Sequence, residues 1–109
     1  MPVRLYVLQR LSAALLAPLV IVHVGVIFYA SARGLSAVDI LGRTRGSVGW
    51  ALYYGLFVAL ASVHASIGLR VVLSEWTGLS HRALDITMWG AGALLAGLGL
   101  RAVAAVTLP

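Results

Sequence analysis

The chain has 109 residues, 61% of them hydrophobic and only 10% charged, and it contains no cysteine. Its formal net charge of +5 comes from eight basic residues, all arginine, against three acidic ones. With a mean hydropathy of +1.02, this composition excludes a water-soluble globule, a disulfide framework and a thiolate metal site. The arginines are scattered among apolar runs instead of gathered on a polar face, which argues against nucleic acid as a partner.

The implied solvent is the lipid bilayer. Its hydrocarbon core offers backbone groups no water, and the sequence lacks the repeated alternating strands of a barrel, so the chain must cross as helices. The expected fold is an all-α integral membrane bundle of three transmembrane helices, forming one anchor domain over residues 1–109.

The first span runs roughly from residue 5 to 32. Arg4 and Arg10 precede it as they would in a signal peptide, but the run is too long and lacks a convincing cleavage site, so a retained span is expected. Pro18 should kink this helix or free a carbonyl in it. After it, "SARGLSAVDILGRTRGS" is long enough for a short interfacial helix. The second span runs from about 48 to 73 and the third from about 83 to 108. The tight "SEWTGLSHR" link between them makes these two helices antiparallel neighbours, with Gly78 breaking the chain and Ser80 as an N-cap ahead of Asp85.

In the third span, Gly90, Ala93 and Gly97 offer a small-residue face for packing on the second helix or on a partner chain. Arg101 can snorkel to the nearer surface, with Asp39 a candidate counter-ion. Trp50, Trp76 and Trp89 fall near span ends, as an aromatic belt would place them. The arginines do not orient the bundle: Arg4, Arg10, Arg70 and Arg82 lie at one end, and Arg33, Arg43, Arg45 and Arg101 at the other.

The second span carries a polar pattern, "HASIGLRVVLSEW", that asks for a partner. His64 and Gly68 share a face, and His64 lies about 9 Å deeper than Arg70 at 1.5 Å per residue. Neutral imidazole is a good axial ligand for haem iron, Gly68 would leave room for a flat macrocycle, and Arg70 stands at the height of a propionate. The same spacing also fits a histidine bonded across helices, a glycine for close packing and snorkelling charges, so spacing alone leaves both readings open.

His64-x-x-x-Gly68-x-Arg70, followed by Glu75, resembles the second-helix signature of the cytochrome b membrane-anchor subunit of succinate dehydrogenases and fumarate reductases. "YVLQRLSA", residues 6–13, is similar to that family's entry into its first helix. The resemblance implies an electron-transport subunit that binds haem b and helps form the site for ubiquinone or menaquinone. It implies flavoprotein and iron-sulfur partner subunits, which carry the succinate chemistry, and a second membrane-anchor subunit. By position, it makes His64 the haem iron ligand with Gly68 and Arg70 beside the haem, and it assigns Tyr6, Arg10 and Ser12 to the quinone. It further implies a bacterial inner membrane with the N-terminus cytoplasmic.

The sequence departs from the family's pattern in places. Gln9 stands where a histidine is common, Ala13 replaces a glycine, Val71 replaces a second histidine, and a longer polar N-terminal arm is missing. These departures keep a haem-free anchor of the same family, or an unrelated small transporter or assembly subunit, as alternatives. His23 is a second candidate iron ligand. If Arg10 and Arg70 mark one interface, His23 lies about 20 Å from it and His64 about 9 Å, so the two should not share an iron. His23 is then expected to bond a backbone carbonyl across the helices, and a second ligand for His64 to come from a partner.

Overall fold

A computed structural model of the chain describes residues 2–109, with four helices in the order α1 (Val3–Arg33), α2 (Ala37–Thr44), α3 (Val48–Trp76) and α4 (His81–Thr107). Three of these, α1, α3 and α4, are long and apolar enough to cross a membrane. The expected all-α bundle of three spans is therefore the observed one, and α2 is the short helix expected between the first two crossings. The bundle measures 48 × 23 × 22 Å, enough to traverse a hydrocarbon core of about 30 Å.

The central helix is α3, which packs against α1 on one face and α4 on another. Along α1 the positions not exposed are Leu5, Gln9, Ser12, Leu16, Leu19, His23, Val26 and Ala30. Their spacing alternates between four and three residues, the 3.5-residue period of a left-handed helix pair. All the uncharged polar side chains in the interior of the first span thus fall on its buried stripe. Between residues 11 and 28 the outward positions are apolar, with Ile21 and Phe28 more than 70% exposed. That distribution suits lipid and inverts the rule for water. Helix α1 runs unbroken through Pro18, whose missing N–H leaves the Ala14 carbonyl without its usual donor.

The α3–α4 contact uses glycines other than those expected. Gly90, Ala93 and Gly97 lie on the exposed outer side of α4, and nothing stands within 4 Å of where a Cβ would be on Gly90 or Gly97. The inward residues are Gly92, where a Cβ would sit 3.4 Å from Ser66, and Gly99, where it would sit 2.5 Å from Val58 Cγ1. The seven-residue interval between them keeps both on the seam, which the interval from Gly90 to Gly97 does equally well on the wrong side.

Helix α2 closes one end of the bundle by supplying donors to helix ends. Thr44 Oγ1 donates to the Val106 carbonyl at 2.6 Å, the Gly46 N–H to Thr107 at 2.7 Å, and Arg43 Nη2 to Gly34 at 2.8 Å. The last carbonyls of α4 and the chain leaving α1 are satisfied this way, where a membrane helix end would otherwise have no partner. Gly34, with φ 145°, takes a backbone conformation that favours glycine. At the other end Ser80 caps α4 as expected, its Oγ accepting from Ala83 N at 3.2 Å.

Gly99→Ala should push a methyl group into the stiff β-branched Val58 and destabilise the bundle by about 1–3 kcal/mol. Gly97→Ala, on the open side, should cost nothing. Thermal unfolding of the two variants in detergent checks this pair.

Candidate functional site

The geometry around His64 begins on α1. Ser12 is 2% exposed, its hydroxyl donates to the Gln9 carbonyl at 3.0 Å, and its oxygen lies 3.2 Å from His64 Nδ1. A serine hydroxyl has one hydrogen. With that hydrogen directed to Gln9, the His64 contact is made by Nδ1–H donating to Ser12 Oγ, which places the ring's lone pair on Nε2. Among the described residues Nε2 has no hydrogen-bond partner, and it is not sealed from the surface. An imidazole held in this tautomer by a donor–acceptor partner is the form that ligates a metal.

One turn along α3, Gly68 faces Gln9, whose Nε2 would stand 3.4 Å from a Cβ there. Gln9 Oε1 is buried with no hydrogen-bond partner. The room that Gly68 provides is thus taken on the α1 side by a glutamine amide. Deeper along the same pair, the Tyr53 hydroxyl donates to the Leu19 carbonyl.

Arg70 is 7% exposed and its Nε donates to Asp85 Oδ1 of α4 at 2.9 Å. The Asp85 side chain is 52% exposed, so this is a buried cation reaching a carboxylate at the bundle surface. The Nη groups of Arg70 have no partner within the described residues and are not sealed from the surface. Glu75, the acidic residue in the sequence pattern, is exposed and makes no ion pair with Arg70.

The trio Tyr6, Arg10 and Ser12 is divided between two faces. Tyr6 and Arg10 meet on the exposed side of α1, the guanidinium 5.3 Å from the ring centroid, whereas Ser12 is turned inward to His64. The register also shifts Arg10. With Ser12 opposite His64 and Gln9 opposite Gly68, Arg10 lies about one helical turn deeper than Arg70, not at the same interface.

His23 does not bond a carbonyl. Its Nδ1 is buried and unpaired, and the ring packs edge-on against Tyr54 at 5.9 Å and Phe57 at 5.3 Å. Those residues lie seven and ten positions from His64 on α3, about 10–15 Å along the axis, so the two histidines do not flank one iron within this chain. The pairing of Asp39 with Arg101 is also not found. Asp39 accepts the Ser36 hydroxyl at 2.6 Å, and among the described residues the one salt bridge is Arg70–Asp85. His81 is exposed at the start of α4.

Sequence reasoning missed two partners, Ser12 for His64 and Asp85 for Arg70. The second had a legible signal, since a tight link makes α3 and α4 antiparallel and sets residues equidistant from the link side by side. The first had none, because the link between α1 and α3 is long and does not fix their register.

The family model described as succinate dehydrogenase/fumarate reductase transmembrane subunit matches residues 1–105. No curated protein and no solved structure matches the chain.

Proposed function

Because the chain belongs to the succinate dehydrogenase/fumarate reductase transmembrane subunit family, we propose that it is the cytochrome b type anchor of such a complex. In this reading it holds the flavoprotein and iron-sulfur subunits at the membrane, binds haem b through His64, and contributes to the site where ubiquinone or menaquinone receives electrons. The observation that carries the reading is the Ser12–His64 contact, which leaves Nε2 as an unpartnered lone pair well inside the span. A packing histidine has no need of such an open nitrogen.

Haem b, when bound, supplies a one-electron store close to the quinone. The chain's own residues would each do a separate task around it. Ser12 keeps the proton on His64 Nδ1 and so keeps Nε2 available to iron. Asp85 holds the Arg70 guanidinium by its Nε, leaving the Nη groups for a propionate. Any second protein ligand for the haem would come from another anchor subunit, since His23 lies too far along the bundle. At the exposed side of α1, Arg10 and Tyr6 would stabilise the negative charge that a quinone carbonyl gains on reduction.

One observation favours a second reading, the haem-free anchor of the same family. The Gln9 amide occupies the space over Gly68 that a macrocycle would use from that side, and Arg70 already has a carboxylate.

His64→Leu should abolish the Soret band and the sharp reduced b-type absorption of the purified complex while leaving the subunits assembled. Ser12→Ala should retain the haem and alter its spectrum or potential, because the imidazole loses its orienting acceptor. A wild-type complex with no such absorption establishes the haem-free reading.

Arg10→Leu should lower quinone reduction by about tenfold or more and leave succinate oxidation by a soluble dye nearly intact. Equal loss in both assays would assign Arg10 to assembly instead.

The iron-sulfur subunit would dock at the end carrying Tyr6, Arg10, Arg70 and Glu75, because electrons must reach a quinone beside Arg10. That places the N-terminus and the 77–80 link in the cytoplasm of a bacterial cell, and α2 on the outer side of the inner membrane. The chain has no cysteine, so introduced thiols test this directly. Ala37→Cys should react with an impermeant reagent in intact cells and Gly78→Cys should not; both positions are exposed.

A further inference from the structure

At the end of the bundle opposite Arg70, α1, α2 and α3 enclose a pocket of about 480 Å³. It is lined toward the membrane surface by Arg43, Tyr29 and Trp50 and deeper by Tyr54, whose ring packs on His23. Its floor runs along α1 over Val22, Gly25 and Val26, and nothing lies within 4 Å of where a Gly25 Cβ would be. The pocket is thus cationic and aromatic at the membrane surface and aliphatic toward the bilayer interior.

The positive charge at this end is only partly balanced within the chain. The Arg43 and Arg33 guanidiniums stand 5.7 and 5.6 Å from the same Tyr29 ring centroid. Neither forms a salt bridge among the described residues. Arg45 and Arg101 lie at the same end, so four arginines face one carboxylate, Asp39, which is already hydrogen-bonded to Ser36. Arg43 is anchored by one Nη2 bond to the Gly34 carbonyl at 2.8 Å, and its other donors have no partner among the described residues. The hydroxyls of Tyr29 and Tyr54 and the indole N–H of Trp50 likewise make no hydrogen bond within them. A guanidinium fixed by one bond and left with free donors, with the donors of Tyr29, Trp50 and Tyr54 on the same pocket, suits a phosphate oxyanion.

We infer that this pocket binds one anionic phospholipid, with the headgroup phosphate at Arg43 and an acyl chain laid over Gly25 along α1. A neutral quinone would leave the Arg43 guanidinium without a counter-charge. Free phosphate would leave the aliphatic floor uncovered. An acidic phospholipid satisfies both parts of the pocket, its phosphate meeting Arg43 and its acyl chain the floor.

The test uses the purified membrane complex containing the full chain, in neutral detergent, titrated with phosphatidylglycerol or phosphatidylcholine of identical acyl chains and read by native mass spectrometry of the released subunit. Phosphatidylglycerol should be retained about tenfold more strongly than phosphatidylcholine. Arg43→Gln should remove that preference, and Arg101→Gln should leave it unchanged. Should Arg43→Gln fail to fold, Gly25→Leu decides, because it fills the floor on an open side and keeps every charge. With an unaltered melting temperature it should weaken retention of both lipids. Equal retention of the two lipids, a preference that survives Arg43→Gln, or retention that survives Gly25→Leu overturns the inference. Displacement of phosphatidylglycerol by millimolar inorganic phosphate reassigns the site to the free anion and overturns it as well.

Discussion

The contact between Ser12 and His64 sets the register of α1 on α3, and most of the polar chemistry follows from that register. With these two residues opposed, Gln9 lies over Gly68, the Tyr53 hydroxyl meets the Leu19 carbonyl, and His23 falls among Tyr54 and Phe57. Sliding α1 by one turn would detach each of these together. The energetic reason lies in the solvent. In hydrocarbon an unpaired polar group costs several kcal/mol, so a register that pairs serine with histidine and tyrosine with a carbonyl is selected against its neighbours. The two atoms left over, Gln9 Oε1 and His23 Nδ1, mark where the pairing is incomplete.

The α3–α4 interface is built on a different principle. Ser62 and Ser66 of α3 are buried, and Gly92 and Gly99 of α4 let the backbones approach. Such a seam gains van der Waals contact and loses little side-chain entropy. It is locked at one end by Arg70–Asp85 and at the other by the donors that α2 gives to the end of α4. Since α3 serves both interfaces, its two polar residues of greatest consequence divide between them, with His64 facing α1 and Arg70 facing α4.

Few large side chains are buried, and the exterior is apolar over most of its height. Lipid suffices to cover the aliphatic part of that surface. It does not suffice for the unpartnered Nε2 of His64 or for Arg10 one turn deeper than Arg70. Each of these requires a polar or charged partner in a medium that offers none, and together they distinguish the faces that meet other molecules from those that meet acyl chains.

By itself the sequence determined the solvent, the number of crossings, their lengths to within a few residues, the short helix between the first two, and the cap at Ser80. These depend on runs and local hydrogen bonds within one segment of chain. It also marked His64, Gly68 and Arg70 as unusual, because polar groups in an apolar run are conspicuous wherever they point. Only the tertiary structure decided what each one faces. It turned Ser12 away from Arg10 and toward His64, gave Arg70 to Asp85 instead of Glu75, left His23 without a carbonyl, and chose Gly92 and Gly99 over Gly90 and Gly97. The period of a helix shows which residues share a face. The rotation and register of one helix against another are settled by the fit of two surfaces, and in a chain whose residues are mostly interchangeable aliphatics, that fit is decided by a few glycines and polar pairs whose partners lie far away in sequence.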